Sequence, residues 1–249
     1  MVTRLKTGCR TGAVLLSLAF GASAGAHAAA PSDVVLAQPR DPACLRWLDE
    51  RRIRYVSAPP AGAMKTPVKL AGAVGSLTLA PRGRRGAILM DCELARALWE
   101  AQPIFAETGI SLLGFSAAYN YRTRRDSSRL SGHAYGLAID VHVLRGRFGE
   151  YDVAKDFEAG VGEWLGLAPR AGALAACIGT PKTARGRDLR TLVCRLKLHP
   201  AFRVIVTPDD NRDHRDHIHI EAFPDAQARA HRRPAGTKAK GKLRSRRAR

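Results

Sequence analysis

The chain has 249 residues, of which 45% are hydrophobic, and its formal net charge is +19 at pH 7. Thirteen of its 41 lysines and arginines lie before residue 29 or after residue 225, so the residues between carry 28 basic against 22 acidic side chains. This middle part has a net charge of only +6 and is mildly basic, so the charge of the whole chain comes mostly from its two ends. Its length of about 195 residues predicts one domain with a sizeable core.

Residues 1–28 predict an export signal. Three basic residues within the first ten are followed by an apolar run from Ala13 to about Gly25, and Ala26-His27-Ala28 offers an A-x-A cleavage site. The run is shorter than the about 20 apolar residues that span a bilayer, and an uncleaved N-terminal anchor is the alternative. We therefore expect a soluble periplasmic or secreted protein, with residues 29–40 as a flexible segment before the domain.

Residues 226–249 predict a disordered basic tail. They hold ten lysines and arginines, no acidic residue and almost no apolar side chain, so they cannot form a core. The tail is either solvated without a role or adheres to an anionic surface. An exported protein meets anionic envelope polymers and lipid head groups first, so we expect no specific nucleic-acid partner.

The first half of the domain contains recognisable helix boundaries. Asp41 followed by Pro42 is typical of an N-cap with proline at the first helical position. Alternating residues over 68–79 predict a pair of strands. Asp91 should cap a second helix, and Pro103 should kink or interrupt it.

The second half adds strands that do not alternate regularly with helices. That pattern predicts an α+β fold over residues 41–225, with a mostly antiparallel central sheet and flanking helices. Further strands are predicted at 110–121, 137–144, 202–207 and 218–223. A helix is predicted around 157–165, and Asp188 should cap another that runs through Leu196.

Four cysteines remain once Cys9 leaves with the signal: Cys44, Cys92, Cys177 and Cys194. An even number in an oxidising compartment predicts two disulfides. Three pairings are possible, and Cys44–Cys92 with Cys177–Cys194 is favoured because each pair falls on neighbouring predicted helices. A thiol zinc site is the alternative, but the chain has no C-x-x-C pair.

The stretch "SGHAYGLAIDVHV" places His133 in a loop that enters a strand and Asp140 within that strand. Because alternate side chains of a strand share a face, Val141 and Val143 should point into apolar packing, whereas Asp140 and His142 point the other way. An unpaired carboxylate is costly to bury, so Asp140 needs a partner.

The stretch "HRDHIHIE" supplies that partner. Its last strand should present His217, His219 and Glu221 on one face. If the two strands are neighbours, two histidines and Asp140 converge. A His₂-carboxylate set with one open position suits a catalytic Zn²⁺, which lowers the pKa of a bound water.

"SGHAYGLAID" resembles the S-x-H-x-x-G-x-A-x-D motif of zinc peptidases that cut D-amino-acid bonds in peptidoglycan. These are D-alanyl-D-alanine carboxypeptidases and dipeptidases and penicillin-insensitive murein endopeptidases, whose fold the hedgehog signalling domain shares. From about Ala43 to Phe223 the chain more closely resembles the bacterial extensin-like C-terminal domain family. That resemblance rests on an early and a late cysteine, "DCELARALW", "YNYR", the motif itself and "TPDDNRDHRDHIHIE". The chain departs from many relatives in having Tyr121 where they have a cysteine.

The resemblance implies a metal held by His133, Asp140 and His219. It implies that His217 lies beside the metal and contacts the substrate carbonyl or the oxyanion. Glu221 follows on the same face and can accept a proton from the other ring nitrogen of His219. Small residues are common at position 142 in relatives, so His142 is either an alternative ligand or a partner of a ligand.

The resemblance leaves the general base open. Related dipeptidases have a glutamate at the position of Asp216, and related endopeptidases have a histidine at the position of His214; the spacing slightly favours Asp216. Arg122 matches an arginine that binds or polarises the substrate near the scissile bond. Ser131 should orient the loop, because a serine and a histidine two residues apart rarely form a catalytic triad.

Together these features predict an exported zinc metallopeptidase that hydrolyses an amide bond in peptidoglycan peptides, as a D,D-endopeptidase or a carboxypeptidase. The alternative is a non-catalytic, metal-containing module that binds the cell wall, since the hedgehog domain uses the same fold in recognition. In both cases the partner is peptidoglycan or its peptide fragments, and we expect a monomer.

Overall fold

A computed structural model describes residues 40–83, 86–125, 127–161 and 172–225 of the chain. The predicted export signal and the predicted basic tail lie outside these residues. No helix in the described ranges is long and apolar enough to cross a lipid bilayer.

The described residues form α-helices and β-strands in mixed order, which confirms the predicted α+β class. The helices are α1 (Pro42–Glu50), α2 (Cys92–Glu100), α3 (Gln102–Glu107), α4 (Val153–Asp156), α5 (Ala173–Ile178) and α6 (Ala184–Leu198). The strands are β1 (Tyr55–Ser57), β2 (Pro67–Leu70), β3 (Ala73–Val74), β4 (Leu77–Pro81), β5 (Ile88–Asp91), β6 (Leu112–Phe115), β7 (Ala138–Gly146), β8 (Gly149–Asp152), β9 (Phe202–Val206) and β10 (Ile218–Ala222).

The strands form two sheets. The larger has the order β3-β4-β6-β7-β10-β9, with β8 paired to the far end of β7, and the smaller has the order β1-β2-β5. Every pairing is antiparallel except that of β4 with β6, so the sheets are mostly antiparallel, as predicted. The long β7 lies at the centre of the larger sheet.

The core covers one face of β7 and β10. Ile139 and Val141 of β7 and Ile220 of β10 are fully or almost fully buried in one hydrophobic cluster with Leu94 and Leu98 of α2. Burying such side chains contributes roughly 1.5–3 kcal/mol each. The opposite face of the same two strands is therefore free to carry polar side chains.

Two predicted helix caps are present. Asp41 accepts hydrogen bonds from the Ala43 and Cys44 amides at the start of α1. Asp91 accepts from the Glu93 amide at 3.0 Å and, with its other oxygen, from the Thr66 amide at 2.7 Å. Asp91 therefore caps α2 and also fixes the chain just before β2.

Both predicted disulfides are confirmed. Cys44–Cys92 joins α1 to α2, and Cys177–Cys194 joins α5 to α6. Disulfides are typical of oxidising compartments such as the periplasm or the cell exterior.

The prediction that Asp188 caps a helix is wrong. The cap of helix α6 is Thr183, five residues earlier, whose Oγ1 accepts from the Gly186 amide at 2.9 Å. Asp188 lies inside α6, buried, and accepts a hydrogen bond from the Tyr151 hydroxyl at 2.8 Å. The Asp188 side chain therefore makes a long-range hydrogen bond instead of the helix cap that the local sequence pattern indicated.

Two other element boundaries differ from the predictions. The strand expected over 110–121 is regular only in β6, because the chain after Phe115 turns towards the His133 loop and its backbone bonds to Asp140 and His133. The helix expected around 157–165 is not formed at Phe157 to Val161, and its remaining residues lie outside the described part of the chain.

Candidate metal centre

The two polar strand faces meet as the sequence predicts. Strands β7 and β10 are neighbours, and Asp140 lies directly opposite His219 in their antiparallel register. Side chains opposite one another on such a pair have Cβ atoms about 5 Å apart. Nδ1 of His219 lies 2.9 Å from Oδ1 of Asp140.

The loop before β7 brings a third group to this point. Ser131 accepts a hydrogen bond from the His133 amide and starts a short 3₁₀ turn, as its predicted orienting role requires. Gly136 ends the turn with φ of 63°, and a Cβ there would lie 2.4 Å from Sδ of Met64. A Cβ on Gly132 would lie 2.6 Å from the Glu221 side chain, so glycine at each position allows a close approach that a larger residue would obstruct.

We call His133, Asp140 and His219 the inner cluster. All three are buried, and one ligand atom from each lies within 4.8 Å of the others. Nε2 of His133 lies 3.1 Å from Oδ2 of Asp140. Two ligands of a tetrahedral zinc, each 2.0–2.1 Å from it, are separated by about 3.3 Å, so this spacing fits such an ion.

His133 supplies a second test of that fit. It is fully buried, yet its Nδ1 has no hydrogen-bond partner among the described residues, and its Nε2 has only the contact with Asp140. Buried polar atoms are nearly always hydrogen-bonded, and an ion is one of the few explanations for an exception. The inner cluster can therefore hold a metal ion.

The charges of the inner cluster favour an ionised aspartate. Burial opposes ionisation of Asp140, but the contacts and charges of His133 and His219 outweigh it and hold the pKa of Asp140 well below its usual range. Burial also disfavours protonated His219, yet its contacts with Asp140 and Glu221 raise its pKa to about 9 in the metal-free protein.

Glu221 occupies the position expected of a partner for His219. Its Oε2 lies 3.5 Å from Nε2 of His219, and its Oε1 lies 3.4 Å from Nε of Arg203 and 3.9 Å from a guanidinium nitrogen of Arg124. Burial opposes ionisation of Glu221, but His219 and the arginines together hold its pKa below the usual range. Nδ1 of His219 is thereby left to face Asp140.

His217 and Asp216 form a pair at the edge of the inner cluster. Strand β10 begins only at Ile218, so alternation along the strand does not separate the two side chains. Nδ1 of His217 lies 2.9 Å from Oδ1 of Asp216, and its Nε2 lies 3.6 Å from Oδ1 of Asp140. The hydrogen bond from His217 lowers the pKa of Asp216.

His214 lies on the same side. Its ring centroid is 4.9 Å from that of His217 and 5.8 Å from that of His219. Nδ1 of His214 lies 2.7 Å from Oδ1 of Asn211, an acceptor that holds the proton on Nδ1 and leaves Nε2 as a lone-pair nitrogen. Burial lowers the pKa of His214, which favours the neutral ring.

The backbone of Arg122 is hydrogen-bonded to the loop that carries His133. Its carbonyl accepts from the Ser131 amide at 3.0 Å, next to the His133 turn. Its guanidinium is exposed and donates to the Thr123 carbonyl at 3.4 Å. Within the described ranges it makes no hydrogen bond to the inner cluster, so it is available to an incoming ligand.

His142 lies outside the inner cluster because β7 bulges there. Phe115 pairs with Val141 and Gly114 with Val143, so His142 is an extra residue in the register with β6. The bulge reverses the alternation: Val143 is only half-buried and Leu144 is buried instead, so the prediction that Val143 points into the core is wrong.

The bulge brings His142 to Asp216 and His217. Nδ1 of His142 lies 3.1 Å from the Asp216 carbonyl, and its Nε2 lies 2.8 Å from Oγ of Ser116. Sequence reasoning missed Ser116 and Asn211, because nothing in the motif spacing marks a residue that only orients a histidine.

Comparisons with known proteins add no assignment. No protein-family model, no curated protein and no solved structure matches this chain.

Proposed function

We propose that this protein is an exported, zinc-dependent hydrolase of an amide bond in peptidoglycan peptides, of the D,D-endopeptidase or carboxypeptidase type. It would belong with the bacterial extensin-like domains and share the fold of the murein D,D-peptidases and the hedgehog domain. The observation that carries the proposal is the buried inner cluster, whose histidine and aspartate atoms have zinc-ligand spacing and whose His133 has a buried Nδ1 without a hydrogen-bond partner among the described residues. Two disulfides support export.

His133, Asp140 and His219 would hold the metal, and Glu221 would keep the ring of His219 in place. A zinc ion with three protein ligands supplies a Lewis acid and activates water near neutral pH. Two imidazoles and one carboxylate would supply three protein ligands, whereas a structural zinc site has four.

His217 is placed to steady the substrate. Its Nε2 points to the edge of the inner cluster, 3.6 Å from Asp140. Because Asp216 accepts the proton on Nδ1, Nε2 donates to the oxyanion formed by addition of water when the ring is protonated on both nitrogens. Asp216 holds the other nitrogen of this ring, so it is a positioning residue. The exposed guanidinium of Arg122 binds a carboxylate or the same oxyanion.

His214 carries the proton. Its Nε2 accepts a proton from the attacking water and returns it to the nitrogen of the leaving amine as the C–N bond breaks. Asn211 fixes the required tautomer, and the lowered pKa keeps the ring neutral and ready to accept. Asp216 is less suited to this step because its oxygen is already engaged by His217.

The test is incubation of the purified protein with peptidoglycan sacculi, followed by mass spectrometry of the soluble fraction. We expect wild-type protein to release peptide-containing fragments, and His217→Ala and His219→Ala to release essentially none. His199→Ala, which changes a histidine at the end of α6, should behave like wild type. Protein that pellets with sacculi but releases nothing would overturn hydrolysis and support the cell-wall binding module instead.

A further inference from the structure

A second group of metal-ligating side chains lies next to the inner cluster. We call His142, Asp216 and His217 the outer cluster; one ligand atom from each lies within 4.8 Å of the others. Nδ1 of His217 lies 2.9 Å from Oδ1 of Asp216, and Nδ1 of His142 lies 3.8 Å from Oδ2 of the same carboxylate. The two rings are 5.0 Å apart, between centroids, with 38° between their planes.

We propose that the outer cluster is a second divalent-cation site, so that this face of the sheet takes two metal ions. The donors are again two imidazoles and one carboxylate, a set that suits Zn²⁺ and similar first-row ions better than Mg²⁺ or Ca²⁺, which prefer oxygen ligands. The site goes beyond the proposed function, and its test does not depend on hydrolysis.

The outer cluster is built by specific local features. The β7 bulge at His142 turns this side chain towards the loop before β10. Ser116 then lies 2.8 Å from Nε2 of His142, which leaves Nδ1 facing Asp216. Metal-ligating histidines characteristically have their second nitrogen held by such a partner. A bulge and a dedicated partner distinguish this group from a chance meeting of surface charges.

The outer site should bind more weakly than the inner one. The Asp216 side chain is 50% exposed and the two histidine side chains are 13% exposed, whereas every inner-cluster side chain is at most 12% exposed. A cation there also replaces the hydrogen bonds that hold both Nδ1 atoms near Asp216.

Loading the outer site would also affect the residues around the inner one. A cation on Nδ1 of His217 fixes the proton on Nε2, which is the nitrogen that lies 3.6 Å from Asp140. It also occupies the Asp216 carboxylate, so Asp216 could not accept a proton in the two-metal state. His214 lies outside both clusters and keeps its lone-pair nitrogen.

The experiment is equilibrium dialysis of untagged protein against buffers of defined free zinc, with zinc per chain measured by elemental analysis. Wild type should show one zinc at low free zinc and two at high free zinc. His142→Gln and Asp216→Asn should keep the tight zinc and lose the weaker one. Ser116→Ala should weaken only the second step, by about 10–100-fold. His199→Gln is the matched control and should bind two.

Each other outcome overturns the proposal in a recognisable way. Wild type that saturates at one zinc would remove the outer site and leave the inner one intact. Two zinc ions in His142→Gln and Asp216→Asn would place the second ion elsewhere. Protein that binds no zinc at any concentration would contradict both clusters. Circular dichroism of each variant separates loss of a site from loss of folding.

Discussion

His217 and His219 are two residues apart, yet their surroundings differ sharply. His219 is buried between Asp140 and Glu221, with one carboxylate near each ring nitrogen. His217 lies just before the strand, half-buried, with only its Nδ1 engaged by Asp216 at hydrogen-bond distance. These differences are the reason that we expect His219 to be a metal ligand and His217 to contact the substrate.

Substitution of the two histidines should therefore give opposite metal contents. His219→Ala should lose the tightly bound zinc, because a three-ligand site reduced to two binds far less tightly. His217→Ala should keep that zinc and lose roughly 10²–10³-fold in turnover, the usual effect of removing one oxyanion contact. Zinc content after dialysis against low free zinc, with turnover on sacculi, separates them.

The control for this pair is His142→Ala, which should retain the tight zinc. An empty site in His217→Ala beside a filled one in His219→Ala would reverse the assignment. Loss of the tight zinc from His142→Ala would place His142 in the inner cluster.

Zinc affinity should depend steeply on pH. His219 must be neutral to bind a metal, and its pKa in the metal-free protein is raised to about 9 by Asp140 and Glu221 acting against burial. Each pH unit below that pKa lowers the fraction of neutral His219 about tenfold. The affinity for zinc should therefore rise about tenfold per pH unit from pH 7 to 9. Competition with a chelator measures it.

Glu221→Gln should flatten this dependence. Removing the carboxylate removes one of the groups that raise the pKa of His219, so the rise in zinc affinity should level off at a lower pH. Wild-type affinity that is constant between pH 7 and 9 would contradict the protonated state assigned to His219.

The closeness of the candidate ligands was predictable from sequence because strand alternation and two short motifs place them on one face. Asp140 opposite His219 follows once β7 and β10 are neighbours. The orienting residues were not predictable, because Ser116 reaches His142 only through a bulge, and Asn211 reaches His214 within a polar loop.

At the scale of elements, Asp91 connects helix α2 to the chain before β2. Burial raises the pKa of Asp91 to about 6, although the Thr66 and Glu93 amides favour its charged form. In the unfolded chain an aspartate titrates near 4. Between these two pKa values the folded protein therefore binds more protons than the unfolded chain. The stabilisation that comes from protonation of Asp91 is complete below about pH 4 and is lost as the pH rises through about 6.

Asp91→Asn should reveal this contribution. Relative to that variant, the free energy of unfolding of wild type should fall by roughly 2–3 kcal/mol between pH 4 and pH 7. The comparison cancels the other titrating groups because both proteins share them. Denaturant unfolding at a series of pH values measures it, and parallel profiles for the two proteins would rule out the raised pKa.

The two disulfides should contribute unequally. Cys44–Cys92 spans 48 residues and Cys177–Cys194 spans 17, and a longer loop loses more entropy when the unfolded chain is cross-linked. Replacing both cysteines of the first pair by alanine should cost roughly 4 kcal/mol, against roughly 3 for the second. Urea unfolding of the two double variants tests the order, and a larger loss from the second pair would contradict it.

Element boundaries were predictable where a local cap decided them and not where a distant contact did. Asp41 and Asp91 cap helices as their sequence context indicates. Asp188 is also an aspartate, but it accepts a hydrogen bond from Tyr151, 37 residues away. The start of α6 predicted from the local sequence pattern was therefore wrong. The bulge in β7 likewise depends on its pairing with β6.

For the molecule as a whole, the central sheet separates a hydrophobic face from a polar one. Strands β7 and β10 bury isoleucines and valine against α2 on one side and carry Asp140 and His219 on the other. The sequence predicted the α+β class and the mostly antiparallel pairing because helices and strands do not alternate. It did not predict the strand order, which depends on contacts between residues far apart in the chain.

We expect His133, Asp140 and His219 to hold a metal ion on the polar face of this sheet. The most direct measurement is an anomalous difference map, collected at the zinc edge from crystals grown with zinc. We expect the strongest peak about 2.0–2.2 Å from one atom of each of these three side chains. A strongest peak held by other side chains, or no peak beside these three, would contradict the account.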